Sequence, residues 1–174
     1  MRFTWNALRN ILKIKFKTIR VEHHLAHTAS SYWLSNFKGP TASLSFDGSG
    51  DFVSMMLSEC RNNHIKVLKK IYLPHSLGFF YTAISQFLGF HNYGDEYKVM
   101  GLAAYGNNKN NYDMNKIIKF DEKKLYIINK KYIHMHKGRP ADEISNSRVV
   151  IKKIYKEKIQ ELLGKQRKPG SKIK

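Results

Sequence analysis

Three histidines within five residues are the side chains of this sequence with the clearest capacity for chemistry. They are His23, His24 and His27, in the segment HHLAH. On a helix, His23 and His27 lie one turn apart on one face, so two imidazoles can converge on one metal ion. Imidazole binds iron, zinc, copper or nickel, and the remaining ligand, preferably a carboxylate, must come from elsewhere. His24 is rotated away from that pair. The spacing is also compatible with a histidine cluster that holds no metal.

The second candidate is the segment DGSGD, which lies between two stretches of alternating polarity. It comprises Asp47, Gly48, Ser49, Gly50 and Asp51. Because glycine has no side chain, backbone N–H groups here can approach a phosphate closely. Asp47 stands at the predicted end of a strand, where its carboxylate can complete a metal site. An ordinary hairpin turn also explains the segment, since Asp-Gly is a common hairpin signal.

Three further positions carry groups that can react or bind. Glu96 and Lys98 precede an apolar stretch, and they are either ligands for a polar substrate or the charged start of a helix. His75 is the acid or base candidate of the segment PHSLGFFY, whose expected task is packing. Cys60 lies next to a predicted turn, with no histidine expected to act as its partner, which argues against a nucleophile.

The elements that must position these groups follow from hydrophobic periodicity. Alternation predicts a strand over residues 15–21, and helical spacing predicts a helix over 22–34. Three strands follow as an antiparallel meander, with tight turns at 47–51 and 61–63. We expect these strands at 41–47, 52–59 and 65–73.

The second half of the pattern is mainly helical and then polar. Ser76 is a predicted N-cap for a helix over residues 77–88 that Gly89 ends. A short helix is expected over 97–105, and two short strands over 124–128 and 132–135.

Length and composition exclude several classes of protein. The chain has 174 residues, which suffices for about one domain. A single cysteine excludes an internal disulfide and a multi-cysteine zinc site. The sequence has no apolar run of membrane-spanning length and no apparent secretory signal, so we expect a cytoplasmic protein with no membrane partner.

The positive charge is concentrated in the second half of the chain. The formal net charge is +18, and residues 107–174 hold 19 basic and 7 acidic side chains. We therefore divide the chain into a main domain, residues 1–147, and a basic tail, residues 148–174. The tail is predicted to be helical over 149–163 and mobile or disordered otherwise. A basic tail can also track the phosphates of nucleic acid, although charge alone does not favour that partner.

Four segments in this order resemble the carbamoyltransferases of the nodulation-factor, cephem and tobramycin type. They are VEHHLAHTASSYWLSNF, SFDGSGD, PHSLGFFYTAISQFLGF and EYKVMGLAAYG. The resemblance covers residues 15–106 strongly and 107–174 weakly. It implies an α/β fold that is part of an actin-like domain (similar to sugar kinases and Hsp70). We expect a mixed sheet containing the three-strand antiparallel meander, with flanking helices.

The resemblance also implies a reaction. In this family ATP and carbamoyl phosphate yield carbamoyladenylate in a second domain, and the first domain transfers the carbamoyl group to a substrate hydroxyl. A divalent metal, typically Fe²⁺, is held by the histidines of the HHxAH motif and by carboxylates. Carried over, His23 and His27 are ligands, with Asp47 a third, and the loop Gly48–Asp51 lies near the adenylate phosphate. His24 becomes the candidate base for the acceptor hydroxyl, since the pKa of histidine lies near neutrality.

The length of the chain departs from the family pattern. Only 22 residues precede His23, and the family's adenylate-forming domain does not fit within the sequence. We therefore expect an internal fragment that binds metal weakly and is inactive alone. The alternatives are an active half that needs a separately encoded partner, and a small basic protein that binds nucleic acid. The acceptor substrate and the pathway do not follow from the sequence.

Overall fold

An antiparallel three-stranded sheet forms the centre of the computed structural model of this chain. The structure describes residues 19–106, 112–134, 142–145 and 148–172, with Ile11 and Lys17. The sheet order is β1-β2-β3. Its strands are β1 (Thr41–Gly50), β2 (Val53–Arg61) and β3 (His64–Tyr72). The predicted meander is therefore confirmed.

Helix α1 (His23–Trp33) precedes the sheet and packs on β1 and β2. Its buried residues, His24, Thr28 and Tyr32, recur every four positions and form one face. The carboxylate of Glu22 accepts a hydrogen bond from the backbone N–H of Leu25 at 2.7 Å, which caps the helix. The helix predicted over 22–34 is confirmed to within one residue at each end.

The strand predicted over 15–21 is wrong at every position that can be checked. Lys17 and residues 19–21 are irregular, and the other three residues lie outside the described part of the chain. Ile19 and Val21 are exposed. Alternating polarity alone does not make a strand, because a strand needs a neighbouring backbone with which to pair.

The turn between β1 and β2 lies later than the sequence predicts. Strand β1 continues through Gly50, and the reversal uses Asp51 and Phe52, whose φ angles are 49° and 66°. Two successive positive φ angles are the geometry of a type I′ hairpin turn. The register shifts between Phe46 and Gly50, so the Asp-Gly pair at 47–48 belongs to an irregular part of the strand.

Two helices follow the sheet. Helix α2 (Leu77–Phe87) begins at the predicted N-cap, where the Ser76 hydroxyl oxygen accepts from the Phe79 N–H at 3.1 Å. Gly89 follows its end with a φ of 87°, as expected of a helix-terminating glycine. Helix α3 (Glu96–Ala103) contacts α2.

The rest of the described chain is built from short elements. Two strand pairs are present: β4 (Ile118–Asp121) with β5 (Leu125–Ile128), and β6 (Asp142–Ser145) with β7 (Arg148–Ile151). A 3-10 turn over Met114–Lys116 precedes β4, and another over Glu157–Ile159 leads into helix α4 (Gln160–Leu163). The strand expected over 124–128 is confirmed. The one expected over 132–135 is wrong in its described part, where Ile133 makes only an isolated bridge with Tyr155.

The helix predicted over 149–163 is wrong before residue 157, and the 3-10 turn and α4 cover only 157–163. Residues 152–156 are irregular, and the buried side chains Ile154, Tyr155 and Ile159 join the core that contains Phe87. The side chain of Gln86 holds this segment, since its Oε1 accepts from the Ile154 N–H at 3.0 Å. Apolar side chains at helical spacing can also be buried when the segment that carries them is irregular. This requires another group, here a buried polar side chain, to form hydrogen bonds with the backbone of that segment. The domain division at 147/148 stays a prediction.

The observed architecture is mixed α/β, with a three-strand antiparallel sheet and flanking helices. The pairings of all described strands are antiparallel. The actin-like topology stays a prediction. In the described part of the chain, no helix has the length and apolarity needed to cross a membrane.

Gly78→Ala tests the close contact of α2 with β1. A Cβ atom at Gly78 would lie 2.6 Å from the Gly48 nitrogen and 2.8 Å from the carbonyl carbon and oxygen of Asp47. Because these are backbone atoms, we expect the free energy of unfolding to fall by about 1–3 kcal/mol, measured by chemical denaturation. The matched control is Gly101→Ala in α3, where a Cβ meets no atom within 4 Å. Gly101→Ala should raise the free energy of unfolding by up to about 1 kcal/mol. An equal loss of stability in both variants would contradict the close contact at Gly78.

Candidate metal centre

The start of α1 and the end of β1 bring His23, His27 and Asp47 together. The Nε2 atoms of the two histidines are 3.0 Å apart, and the Asp47 Oδ2 lies 2.6 Å from the Nε2 of His23. The same oxygen is 3.8 Å from the Nε2 of His27. One ligand atom from each of the three residues lies within 4.8 Å of the ligand atoms of the other two. The carboxylate that the sequence could only suggest thus lies beside the histidine pair.

Gly50 makes this arrangement possible. A Cβ atom at that position would lie 2.0 Å from the His23 ring, well inside van der Waals contact. The ring therefore occupies the space that any other residue's side chain would take. Sequence reasoning assigned Gly50 to phosphate binding and missed this packing role, since the contact joins residues that are distant in the chain.

Asp51 holds the first turn of α1. Its Oδ2 accepts a hydrogen bond from the backbone N–H of His23 at 3.1 Å, where the positive end of the helix dipole favours a carboxylate. The ion pair of Glu22 with Lys70 on β3, at 3.3 Å, also anchors this end of the helix. Both contacts hold the end of α1 from which the His23 side chain projects.

Gly48 and Ser49, the remaining residues of the DGSGD segment, differ in their hydrogen bonding. The Gly48 N–H donates to the Asp47 Oδ1 at 2.6 Å, and the Gly48 carbonyl accepts from the Ser76 hydroxyl at 2.7 Å. The Ser49 hydroxyl is buried and has no hydrogen-bond partner among the described residues. A buried hydroxyl without a partner is costly. Phosphate binding by this segment stays a prediction.

The electrostatics of the cluster centre on Asp47. Partial burial raises the pKa of its carboxyl, but the hydrogen bonds from His23 and Gly48, with the charge of the neighbouring histidines, outweigh burial. The net effect is a pKa below the ordinary value for aspartate. Asp47 is therefore ionised at neutral pH, as a metal ligand must be.

His24 has a different environment from its two neighbours. Its ring is fully buried between α1 and the sheet. The Nδ1 atom is 2.8 Å from the Ser45 hydroxyl, and the Nε2 atom is 3.0 Å from the Val53 carbonyl oxygen. With both nitrogens engaged, the ring is placed to fix the helix on the sheet. Its predicted role as a catalytic base gains no support from this geometry.

Glu96 and Lys98 have partners outside the histidine cluster. The Thr82 hydroxyl of α2 donates to the Glu96 Oε1 at 2.7 Å, and the Lys98 ammonium pairs with Asp95 at 2.6 Å. The first contact joins α3 to α2, and the second lies within the start of α3, as the helix-start interpretation expects. Their predicted contact with substrate stays a prediction.

A groove of about 310 Å³ adjoins His27, between α1 and β1. Its wall is rich in hydroxyl groups, including those of Ser30, Ser31 and Ser43. Such a wall can donate hydrogen bonds to a hydroxylated small molecule and accept hydrogen bonds from it. Sequence reasoning did not identify it, because its two sides come from a helix and a strand that meet only in the fold.

Comparison with known proteins supplies the family. A family model described as the carbamoyltransferase N-terminus matches residues 4–169. The chain belongs to this family. The resemblance stated from the four sequence segments is thereby confirmed, and the histidine and aspartate cluster lies within the residues that the family model matches.

Its relatives are much longer proteins. Nodulation protein NolNO of Sinorhizobium fredii is 41% identical over 86 residues, which are 49% of this chain and 12% of that protein. An uncharacterized protein of Synechocystis is 40% identical over 88 residues, or 51% of this chain and 14% of its own length. A Methanocaldococcus jannaschii protein, also uncharacterized, is 30% identical over 171 residues, covering 90% of this chain and 26% of the relative. The chain thus spans about a quarter or less of each of these relatives.

The pKa of Asp47 can be measured by carbon-13 NMR of its carboxyl carbon. We expect a value below the usual value for aspartate of about 3.9. Because the pKa is lower in the folded state, the carboxylate stabilises the fold above the unfolded pKa. That contribution is lost as the pH falls through the folded pKa. His23→Ala should raise the pKa of Asp47, since it removes the main hydrogen bond that lowers it. His64→Ala, at the exposed end of the β2–β3 hairpin, should leave it unchanged; equal values in all three proteins would contradict the assignment.

Proposed function

We propose that His23, His27 and Asp47 hold a divalent metal, Fe²⁺, in a carbamoyl-transfer site. The observation that supports this most strongly is the convergence of these three side chains in a chain of the carbamoyltransferase family. Two imidazoles and one carboxylate, with open positions, form the donor set typical of non-haem Fe²⁺. Adjacent ligands about 2.1 Å from an ion stand about 3 Å apart, and the two histidine Nε2 atoms are separated by 3.0 Å.

In this proposal the reaction transfers a carbamoyl group from carbamoyladenylate to a substrate hydroxyl. When bound, the metal supplies Lewis-acid polarisation of a phosphate or carbonyl oxygen. The chain's own residues position the reactants. The backbone of Gly48, Gly50 and Asp51 lies close to Asp47, which is our reason for placing the adenylate phosphate beside this segment.

The hydroxyl-lined groove beside His27 is our candidate for the acceptor molecule. It adjoins the metal ligand, so a hydroxyl bound there would lie next to the transferred group. His24 acts in this proposal by positioning, because its hydrogen bonds to Ser45 and Val53 hold the helix that carries the two metal ligands. A role as base would require the ring to leave both partners.

The formation of carbamoyladenylate from ATP and carbamoyl phosphate is assigned to regions outside this chain. This assignment rests on the length comparison, since the chain spans only 12% of NolNO and 26% of the Methanocaldococcus relative. The missing regions are either part of a longer polypeptide or a separately encoded partner. The acceptor is a small molecule with a free hydroxyl group.

Metal binding is tested by anaerobic calorimetric titration of the chain with Fe²⁺, with Zn²⁺ in parallel. The double variant His23→Ala, His27→Ala should bind at least about 100-fold more weakly, because two of the three ligands are gone. The matched control is His64→Ala, His91→Ala, which removes two exposed histidines outside the cluster. Identical metal uptake by the three proteins would disprove the site.

The division of labour is tested by incubating the chain with ATP and carbamoyl phosphate and measuring AMP and pyrophosphate. We expect no product from this chain alone, because the residues assigned here position an activated group and do not form it. Asp47→Ala provides the control for any background. Turnover by the chain alone that disappears in Asp47→Ala would contradict the assignment of ATP activation to other regions.

A further inference from the structure

A second cavity, of about 500 Å³, lies between the β4–β5 pair and the loop that follows β3. Its volume is typical of sites for small organic ligands. None of the three residues of the metal centre lines it. Its chemistry is therefore independent of the carbamoyl-transfer proposal.

Four lysines give this cavity a positive lining. Lys116, Lys119, Lys130 and Lys131 belong to its wall, all four with exposed side chains, and none of the ten described lining residues is acidic. Lys116 pairs with Asp113 at 3.9 Å, but both side chains are more than half exposed, so this pair neutralises little. The cavity presents an excess of positive charge to whatever enters it.

His75 belongs to the same wall, and a hydrogen bond fixes its ring. Its Nδ1 accepts a hydrogen bond from the Ile128 backbone N–H at 3.1 Å, so in the neutral ring the proton lies on Nε2. Burial and the charges of Lys124 and Lys130 lower the pKa of His75. The ring is consequently neutral at pH 7, with one nitrogen used by the fold and the other able to donate.

The backbone that carries the lysines is held in place by Asn129. Its N–H donates to the Ile117 carbonyl at 2.8 Å, and its side-chain amide donates to the Lys116 carbonyl at 3.0 Å. Its Oδ1 accepts from the Lys131 N–H at 3.0 Å. This bracing fixes the loop before any ligand binds, which lowers the entropy cost of binding.

We propose that this cavity binds the phosphate group of a small phosphorylated organic molecule. Lys119, Lys130 and the Nε2–H of His75 contact the phosphate, and Ile127 and Tyr132 contact the organic part. Several ammonium groups around one site suit a dianion better than a single carboxylate, and lysine is a common phosphate ligand. The concave, partly apolar wall favours a small molecule over a polynucleotide, which is bound along extended grooves.

The test is an NMR titration of the nitrogen-15-labelled chain with phenyl phosphate and, separately, with inorganic phosphate. Shifts should concentrate at Ile128, Lys130 and the His75 ring. Lys119→Gln, Lys130→Gln should weaken phenyl phosphate binding about tenfold, through lost charge-assisted contacts. The control Lys38→Gln, Lys66→Gln removes the same charge from exposed positions outside the cavity and should weaken binding less than about twofold.

Three results would overturn the proposal. Equal weakening in the two double variants would show attraction to the overall charge of the chain and no defined site. Equal binding of phenyl phosphate and inorganic phosphate would contradict the role of the apolar wall. Tighter binding of an oligothymidylate at the same residues would assign the surface to nucleic acid. Phenyl phosphate binding that is tighter than inorganic phosphate binding, and that weakens about tenfold only in Lys119→Gln, Lys130→Gln, supports the proposal.

Discussion

The contact of the His23 ring with Gly50 is the constraint on which the candidate metal centre depends. The ring lies where a Cβ of residue 50 would stand, so helix α1 can approach the end of β1 only because that residue is glycine. This approach sets His23 beside Asp47 and leaves His27, one turn later, facing the same carboxylate. The hydrogen bond from the His23 N–H to Asp51 then holds the helix at that distance.

Polar side chains, more than apolar ones, join α1 to the sheet. His24 bonds to Ser45 and to the Val53 carbonyl, and the Ser43 hydroxyl donates to Thr28 at 3.4 Å. Such bonds have direction, whereas apolar contacts tolerate sliding, so a polar interface fixes the rotation of the helix about its axis. That rotation decides whether two imidazoles point at one carboxylate. A buried polar layer beneath the site is thus consistent with a positioning function.

The second half of the chain is held to the first by a few buried groups. Gln86 of α2 bonds to the backbone of the segment that contains Ile154, and His75 bonds to the end of β5. Apolar residues from both halves then share one core. The same connection carries the lysine-lined cavity, whose wall combines His75 with residues from the β4–β5 region. Four of the basic side chains of this part of the chain line that cavity.

The sequence by itself determined the elements whose pattern is local. Residue spacing and capping side chains predicted α1, the meander and α2, and the order of four segments identified the family. The tertiary structure decided which distant residues meet: Gly50 against His23, Asp51 at the start of α1, and Gln86 against the segment near Ile154. The failures at 15–21 and 149–163 have the same cause. Periodicity records which side chains face the same way, whereas the final conformation depends on what packs against them and which partners satisfy the backbone.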